Sequence, residues 1–228
     1  MKPLLKLLFV WFMFAPPVAG PGSTGYPAWA DDKAKTLLVL GDSISAGYGI
    51  QRKDGWVEQL KRRIGTSMPD VQVVNASSSG ATTQSGLSRL PLLLETHAPE
   101  IVVVELGGND GLRGYPTKTI RRNLERMVEL SRTAGARVLL ISMYIPPNYG
   151  KRYSQAFHAV FVDTAADLQV TLVPFLLEDI ARHPELMQQD GIHPTREAQP
   201  IMLDTAWPYL VPLLNSLSAR PGGSDTSE

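Results

Sequence analysis

The sequence predicts an α/β protein: a three-layer α/β/α sandwich built around a central, mainly parallel, five-stranded sheet. Three observations carry that expectation. Short apolar runs alternate along the chain with stretches whose apolar residues recur at helical spacing, and strands separated by helices form a parallel sheet covered on both faces. Glycine and small polar residues cluster directly after several of the runs, where such a sheet places its ligand crevice. Over 228 residues, 43% hydrophobic and 19% charged side chains supply a sizeable core and exclude disorder as the main state.

The elements follow in order. Thr36 to Leu40 is an apolar run ending at Gly41, which suits a strand buried on both faces. Trp56, Val57, Leu60 and Ile64 share one helix face. Val71 to Val74 reads as a second strand and Leu87 to Leu94 as a helix that ends before Pro99. Ile101 to Leu106 is the most β-like run. Ile120, Leu124, Met127 and Val128 make the clearest helix stripe, with Gly135 placed to cap it. Val138 to Met143 is a fourth strand, Phe157, Val160, Phe161 and Leu168 mark another helix, and Thr171 to Val173 is a short fifth strand. A last helix runs from about Glu197 towards Leu217, and Pro200, Pro208 and Pro212 are expected to start, kink or end it. No internal repeat or linker interrupts residues 33–217.

The ends read differently. Lys2 and Lys6 precede an unbroken apolar run from Leu7 to Phe14, and Ala28-Trp29-Ala30 forms an A-x-A site, so residues 1–30 are expected to be a signal peptide. The run is about half the roughly 20 residues needed to span a bilayer, so no stable membrane insertion is expected after cleavage. A periplasmic or secreted protein follows, its domain covering 31–217. Residues 218–228, rich in Gly, Ser and Asp, read as a flexible tail.

Composition removes several classes of function. With 22 basic and 22 acidic side chains there is no electrostatic case for nucleic acid. Lys61-Arg62-Arg63 and Arg121-Arg122 read as solvated helix faces. The absence of cysteine excludes disulfides, thiolate zinc sites and cysteine nucleophiles. Neither G-x-x-x-x-G-K-[ST] nor G-x-G-x-x-G occurs at a strand–helix junction.

The polar residues at the strand ends point to acyl transfer. Ser43, in Gly41-Asp42-Ser43-Ile44-Ser45-Ala46-Gly47, leaves the first strand at the crevice, but a hydroxyl needs a base to become a nucleophile. The G-x-S-x-G elbow is absent there. Of four histidines, His97, His158 and His183 read as surface or half-packed residues. His193 differs, because in Asp190-Gly191-Ile192-His193-Pro194 a carboxylate three residues earlier can fold back onto the imidazole and fix its tautomer. Asp42 is a rival for the acid, although its place beside Ser43 makes the far side of the ring hard to reach. Donors for a developing oxyanion stand after the second strand, at Gly80, and after the third, at Asn109 in Gly107-Gly108-Asn109-Asp110.

These blocks, GDSISAGYG, SSSGATT, GGND and DGIHP, resemble in order and spacing the four blocks of the SGNH (GDSL-type) hydrolases, over roughly residues 36–214. NDGLRG and GIHPTREAQP are similar to its bacterial subgroup of periplasmic arylesterases and multifunctional thioesterase, protease and lysophospholipase enzymes. The resemblance implies a flavodoxin-like SGNH hydrolase fold, with Ser43 as nucleophile, His193 as base and Asp190 as orienting acid. It further implies an oxyanion hole from the Ser43 and Gly80 N–H groups and the Asn109 side chain. A small-molecule acyl ester or thioester is the implied substrate, without metal or organic cofactor, and a monomer is expected. Asp110, Leu112 and Tyr115, with Ile145 and Pro146 opposite, are the candidate acyl-binding residues. One departure is Ala81, where the subgroup usually carries an acidic residue, which bears on loop hydrogen bonding and substrate preference. A carbohydrate acetylesterase of the same fold and a non-catalytic module binding a small ligand are the competing expectations. Activity confined to acetate marks the first, and resistance to a serine-directed fluorophosphonate the second.

Overall fold

The computed structural model describes residues 34–218. The signal-peptide reading of residues 1–30 falls outside them, as does the tail beyond Ser218. Five strands, β1 (Lys35–Gly41), β2 (Val71–Asn75), β3 (Ile101–Glu105), β4 (Arg137–Ile141) and β5 (Thr171–Val173), form one sheet in the order β2-β1-β3-β4-β5, with every pairing parallel. The expectation of a mainly parallel sheet is met by a wholly parallel one.

Because side chains alternate across a strand, each apolar run supplies both cores. Leu37 and Val39 of β1, Ile101 and Val103 of β3, and Leu139 and Ile141 of β4 face one way, against Trp56, Val57, Leu60 and Ile64 of α2 (Trp56–Ser67) and Met202, Ala206, Leu210 and Leu214 of the C-terminal helix. Leu38, Leu40, Val102, Val104 and Leu140 face the other way. There they meet α3 (Thr83–His97), α5 (Thr117–Thr133) and α6 (Lys151–Leu168) through Leu90, Ile120, Leu124, Met127, Phe157 and Phe161. Burying each such side chain is worth about 1.5–3 kcal/mol.

Two short helices have no counterpart in the hydrophobic periodicity: α1 (Ser43–Ala46), directly after β1, and α4 (Gly108–Leu112), after β3. One turn each is too short to show a period. The C-terminal helix α7 (Gln199–Ser218) also departs from expectation, running through Pro208 and Pro212. Both prolines lie on its exposed side, so the carbonyls of Asp204 and Pro208, which lose their N–H partners, are left to solvent. At the far end of this helix the Lys35 ammonium donates to the carbonyl of Leu217, bringing the start of β1 against the end of α7.

The strand order has its switch point at β1/β3, where connections leave in opposite directions. Residues following β1 and β3 therefore open into a single crevice.

Candidate active site

The nucleophile turn is built by β1 and α1. Ser43 is the first helical residue, where the N–H has no intrahelical acceptor. Asp42 caps the helix, its Oδ1 accepting from the Ile44 N–H at 3.0 Å. Gly41 has no room for a side chain: a Cβ there would lie 2.6 Å from Glu105 Oε2 and 2.8 Å from the Ser45 Cβ. Its glycine is a packing requirement rather than a conformational one.

His193 reaches this turn from 150 residues away. Its Nε2 lies 2.8 Å from Ser43 Oγ, and its Nδ1 lies 2.6 Å from Asp190 Oδ2. Asp190 also accepts from the backbone N–H groups of Ile192 (2.9 Å) and His193 (3.0 Å), with Gly191 supplying the turn at φ +66°. The His193 N–H, the His193 ring and the Ile192 N–H together hold the Asp190 carboxyl down at about 2. Asp190 is thus a carboxylate throughout the neutral range, able to stabilise an imidazolium. The Tyr48 ring closes one side of the imidazole, with centroids 4.5 Å apart and planes inclined at 40°.

Asp42 is not the acid behind the imidazole. Its Oδ2 instead accepts from Asn109 Nδ2 at 3.1 Å, and the same nitrogen donates to the Ala81 carbonyl at 3.0 Å. Asn109 is therefore held beside the nucleophile turn by two acceptors. Ala81, in place of an acidic residue, turns its methyl into the core and offers its carbonyl to Asn109. Burial pushes the Asp42 carboxyl up to about 6, against the opposing effect of its bonds from Ile44 and Asn109 and of His193. The neighbouring Gly80 has φ +77°, and no acceptor among the described residues takes its N–H. Ser43, Gly80 and Asn109 thus bring two unclaimed backbone N–H groups and one fixed amide to the crevice.

The remaining candidates divide. Asp110 departs from its expected role in substrate binding. It is 1% exposed, and its two oxygens accept from the Thr83 N–H (2.8 Å) and Thr83 Oγ1 (2.6 Å), while Asn123 donates to the same hydroxyl at 3.0 Å. The carboxylate sits on the N-terminus of α3, where its charge is favourable, and ties that helix to α4. Ile145 is also buried, its Cγ2 packed where a Cβ on Gly111 would stand. Leu112 is half-buried, while Tyr115 and Pro146 are exposed. The segment carrying Leu112 and Tyr115 is held by Tyr149, whose hydroxyl donates to the Leu112 carbonyl at 2.9 Å, and by Tyr153, which donates to the Tyr115 carbonyl at 2.7 Å.

The other histidines stay apart from Ser43. His158 lies between Ser142 Oγ (3.3 Å) and the Tyr144 hydroxyl (3.1 Å) and stacks on the Tyr144 ring, and His183 pairs with Glu185 at 3.3 Å. Among the described residues no group of three or more His, Cys, Asp or Glu is arranged to hold a metal ion.

Sequence reasoning missed the layer beneath the nucleophile. Glu105, at the end of β3, is 1% exposed, and its Oε2 accepts from Ser45 Oγ at 2.7 Å and from the Asp42 N–H at 3.3 Å. Burial, reinforced by the Asp42 charge, raises its carboxyl well above the usual range, which favours the protonated form. The signal was a lone acid at the end of an otherwise apolar strand, Ile-Val-Val-Val-Glu.

The chain is similar to known proteins over most of its described length. Residues 39–200 match the GDSL-like lipase/acylhydrolase family. Esterase TesA of Pseudomonas aeruginosa is 50% identical over 181 residues, 79% of this chain and 90% of that protein. Thioesterase 1/protease 1/lysophospholipase L1 of Escherichia coli K12 is 44% identical over 182 residues, 80% of this chain and 86% of that protein. A crystal structure of the psychrotrophic esterase EstA from Pseudoalteromonas sp., inhibited by monoethylphosphonate, superposes with a TM-score of 0.76 at 42% identity, covering 79% of this chain and 99% of that one. With the family's match spanning most of the folded chain and relatives this similar, the protein belongs to the GDSL-like lipase/acylhydrolase family.

Proposed function

We propose that the protein is a serine esterase that hydrolyses acyl esters, and acyl thioesters, through an acyl-serine intermediate. The observation that carries this reading is the continuous line from Ser43 Oγ through His193 to Asp190, with separations of 2.8 and 2.6 Å. Ser43 attacks the acyl carbonyl while His193 Nε2 takes its proton, and Asp190 stabilises the imidazolium. The negative oxygen is received by the Ser43 and Gly80 N–H groups and by the Asn109 amide, which gives up one of its two present acceptors to do so. His193 then protonates the leaving alcohol or thiol. Water, deprotonated by the same imidazole, attacks the acyl-serine and releases the carboxylic acid, returning the proton to Ser43.

The acyl chain is received between Leu112 and Tyr115 on one side and Pro146 on the other. The relatives' names include arylesterase and lysophospholipase, and both substrate classes suit a site flanked by the exposed Tyr115 and Pro146. Export by the leader in residues 1–30 puts the enzyme in the periplasm or outside the cell, which favours lysophospholipids and exogenous esters over acyl-CoA. No helix among the described residues is long and apolar enough to cross a membrane. The enzyme acts as a monomer in this reading.

A hydrolysis panel of aryl esters of increasing acyl length, acyl-CoA, lysophospholipid and acetylated sugars tests the proposal, run with wild type and Ser43→Ala. Medium- or long-chain turnover lost in Ser43→Ala is expected. Turnover confined to acetate points to the acetylesterase instead, and turnover that survives Ser43→Ala removes the acyl-serine mechanism.

A further inference from the structure

The loop that carries Asp190 and His193 has little regular structure to hold it: a single antiparallel bridge, Met187 with Pro194, closes it. Its distance from Ser43 is nevertheless short, and two glutamine side chains span the gap. Gln199, 1% exposed in the first turn of α7, accepts from the Trp56 N–H at 3.0 Å and donates to the Thr195 carbonyl at 3.0 Å. One end of its amide thus meets the first residue of α2, and the other meets the chain two residues beyond His193. Trp56 is itself fixed to the nucleophile turn, because its indole N–H donates to Ser45 Oγ at 3.2 Å and Ser45 Oγ donates to Glu105 at 2.7 Å. A buried line therefore runs from Glu105 through Ser45, Trp56 and Gln199 to Thr195. Gln188 makes a second, outer crossing. Its Nε2 donates both to the Tyr48 carbonyl (2.8 Å) and to the Pro194 carbonyl (3.0 Å), and Gly49 is bare where a Cβ would lie 2.1 Å from Gln188 Oε1.

We propose that Gln199 and Gln188 are positioning residues that set the Ser43–His193 distance by strapping the acid–base loop to the nucleophile turn from two sides. Each amide uses both of its polar functions or both of its N–H hydrogens, so neither strap can be replaced by a residue with one polar atom. Neither glutamine touches the reacting atoms. Their effect is felt only through the placement of the imidazole, and a misplacement of about 1 Å costs on the order of 10²-fold in rate. The inference rests on the serine-hydrolase reading above and specifies what holds that site together.

The test uses full-length protein with Gln199→Met, which keeps length and volume but removes both hydrogen bonds, and Gln188→Met, which does the same at the half-buried outer crossing. Three readouts are taken on a p-nitrophenyl ester: kcat and KM separately, the rate of inactivation by a serine-directed phosphonate, and the low-field NMR signal of the proton between His193 and Asp190. Each variant is expected to lower kcat about 10- to 100-fold with KM within about twofold. Phosphonate inactivation should slow in parallel, and the low-field signal should shift or broaden. The double variant should lose more than either single one. A lower melting temperature with kcat, inactivation rate and NMR signal all as in wild type makes the glutamines structural only and overturns the proposal. Should Gln199→Met fail to fold, Gln188→Met decides by the same readouts. Wild type without any ester turnover would instead remove the serine-esterase reading, whereas active wild type with unaltered variants removes the straps alone.

Discussion

Replacing Asp42 by asparagine separates the two duties of this carboxylate, and the structure fixes the sign and size of the response. Burial raises the group from 3.8 in the unfolded chain to about 6 in the native one. Between those values the native protein binds more protons than the unfolded chain, so stability falls as pH rises through that window and levels off above it. At about 1.36 kcal/mol per pH unit, the ionised carboxyl makes wild type about 3 kcal/mol less stable at pH 8 than a permanently neutral group would. Roughly half of that is recovered by pH 5. Asp42→Asn abolishes the proton linkage while keeping an oxygen for the Ile44 cap. Lost packing and the part of the lost Asn109 bond common to both ionisation states do not depend on pH, while that bond's preference for the ionised carboxyl is already contained in the value of about 6. The pH-independent losses cancel when urea unfolding, followed by tryptophan fluorescence, is compared at pH 8 and pH 5. The stability of the variant relative to wild type should be more favourable at pH 8 than at pH 5 by about 1.5 kcal/mol. Turnover should move the other way: with a second amide in place of its acceptor, Asn109 keeps only the Ala81 carbonyl of its two holds, and kcat should fall at both pH values. Identical variant-minus-wild-type differences at the two pH values would falsify the assignment of a raised carboxyl to Asp42.

Asn109→Ala should lower kcat about 10²–10³-fold with little change in KM, measured on a chromogenic ester, if its amide is the side-chain donor proposed for the oxyanion. In Gly111→Ala a methyl would lie 2.6 Å from Ile145 Cγ2 and 2.7 Å from the Phe157 ring. Overpacking of about 1–3 kcal/mol is expected in chemical denaturation, together with a fall in kcat as α4 and Asn109 are pushed aside. Asp190, at about 2, contributes its favourable charge above pH 3.8 and loses it as pH falls through 2. Its titration therefore lies well below the neutral range in which turnover is measured. Asp190→Asn should lower kcat about 10²–10⁴-fold across pH 6–9, and a loss confined to low pH would contradict the orienting role.

Much of the fold could be read from the chain because a doubly covered parallel sheet demands unbroken apolar strands. Thr36 to Gly41 and Ile101 to Glu105 are buried along their whole length, and the four positions of the α2 stripe and of the α5 stripe are all buried. The residues in the Ser43–His193–Asp190 line were also legible, since the glycines and polar side chains that interrupt the apolar pattern stand where the strands empty into the crevice. What stayed hidden were interactions whose partners carry no local signature. Nothing in the sequence around Gln199 ties it to the N–H of Trp56, 143 residues away. Asp110 looked like a crevice residue because it follows Asn109, yet one step around the short helix α4 turns it inward to Thr83. Periodicity reports which side is apolar. It does not report which buried acid finds which hydroxyl.

The contact between Lys35 and Leu217 has a practical corollary. It lies at the amino end of β1, and the seven residues of that strand, at about 3.3 Å each, carry the chain roughly 20 Å before it delivers Ser43. A linker, affinity tag or solid support joined beside either residue would grip the protein by its base, leaving even a bulky ester free to approach the opposite end of the sheet.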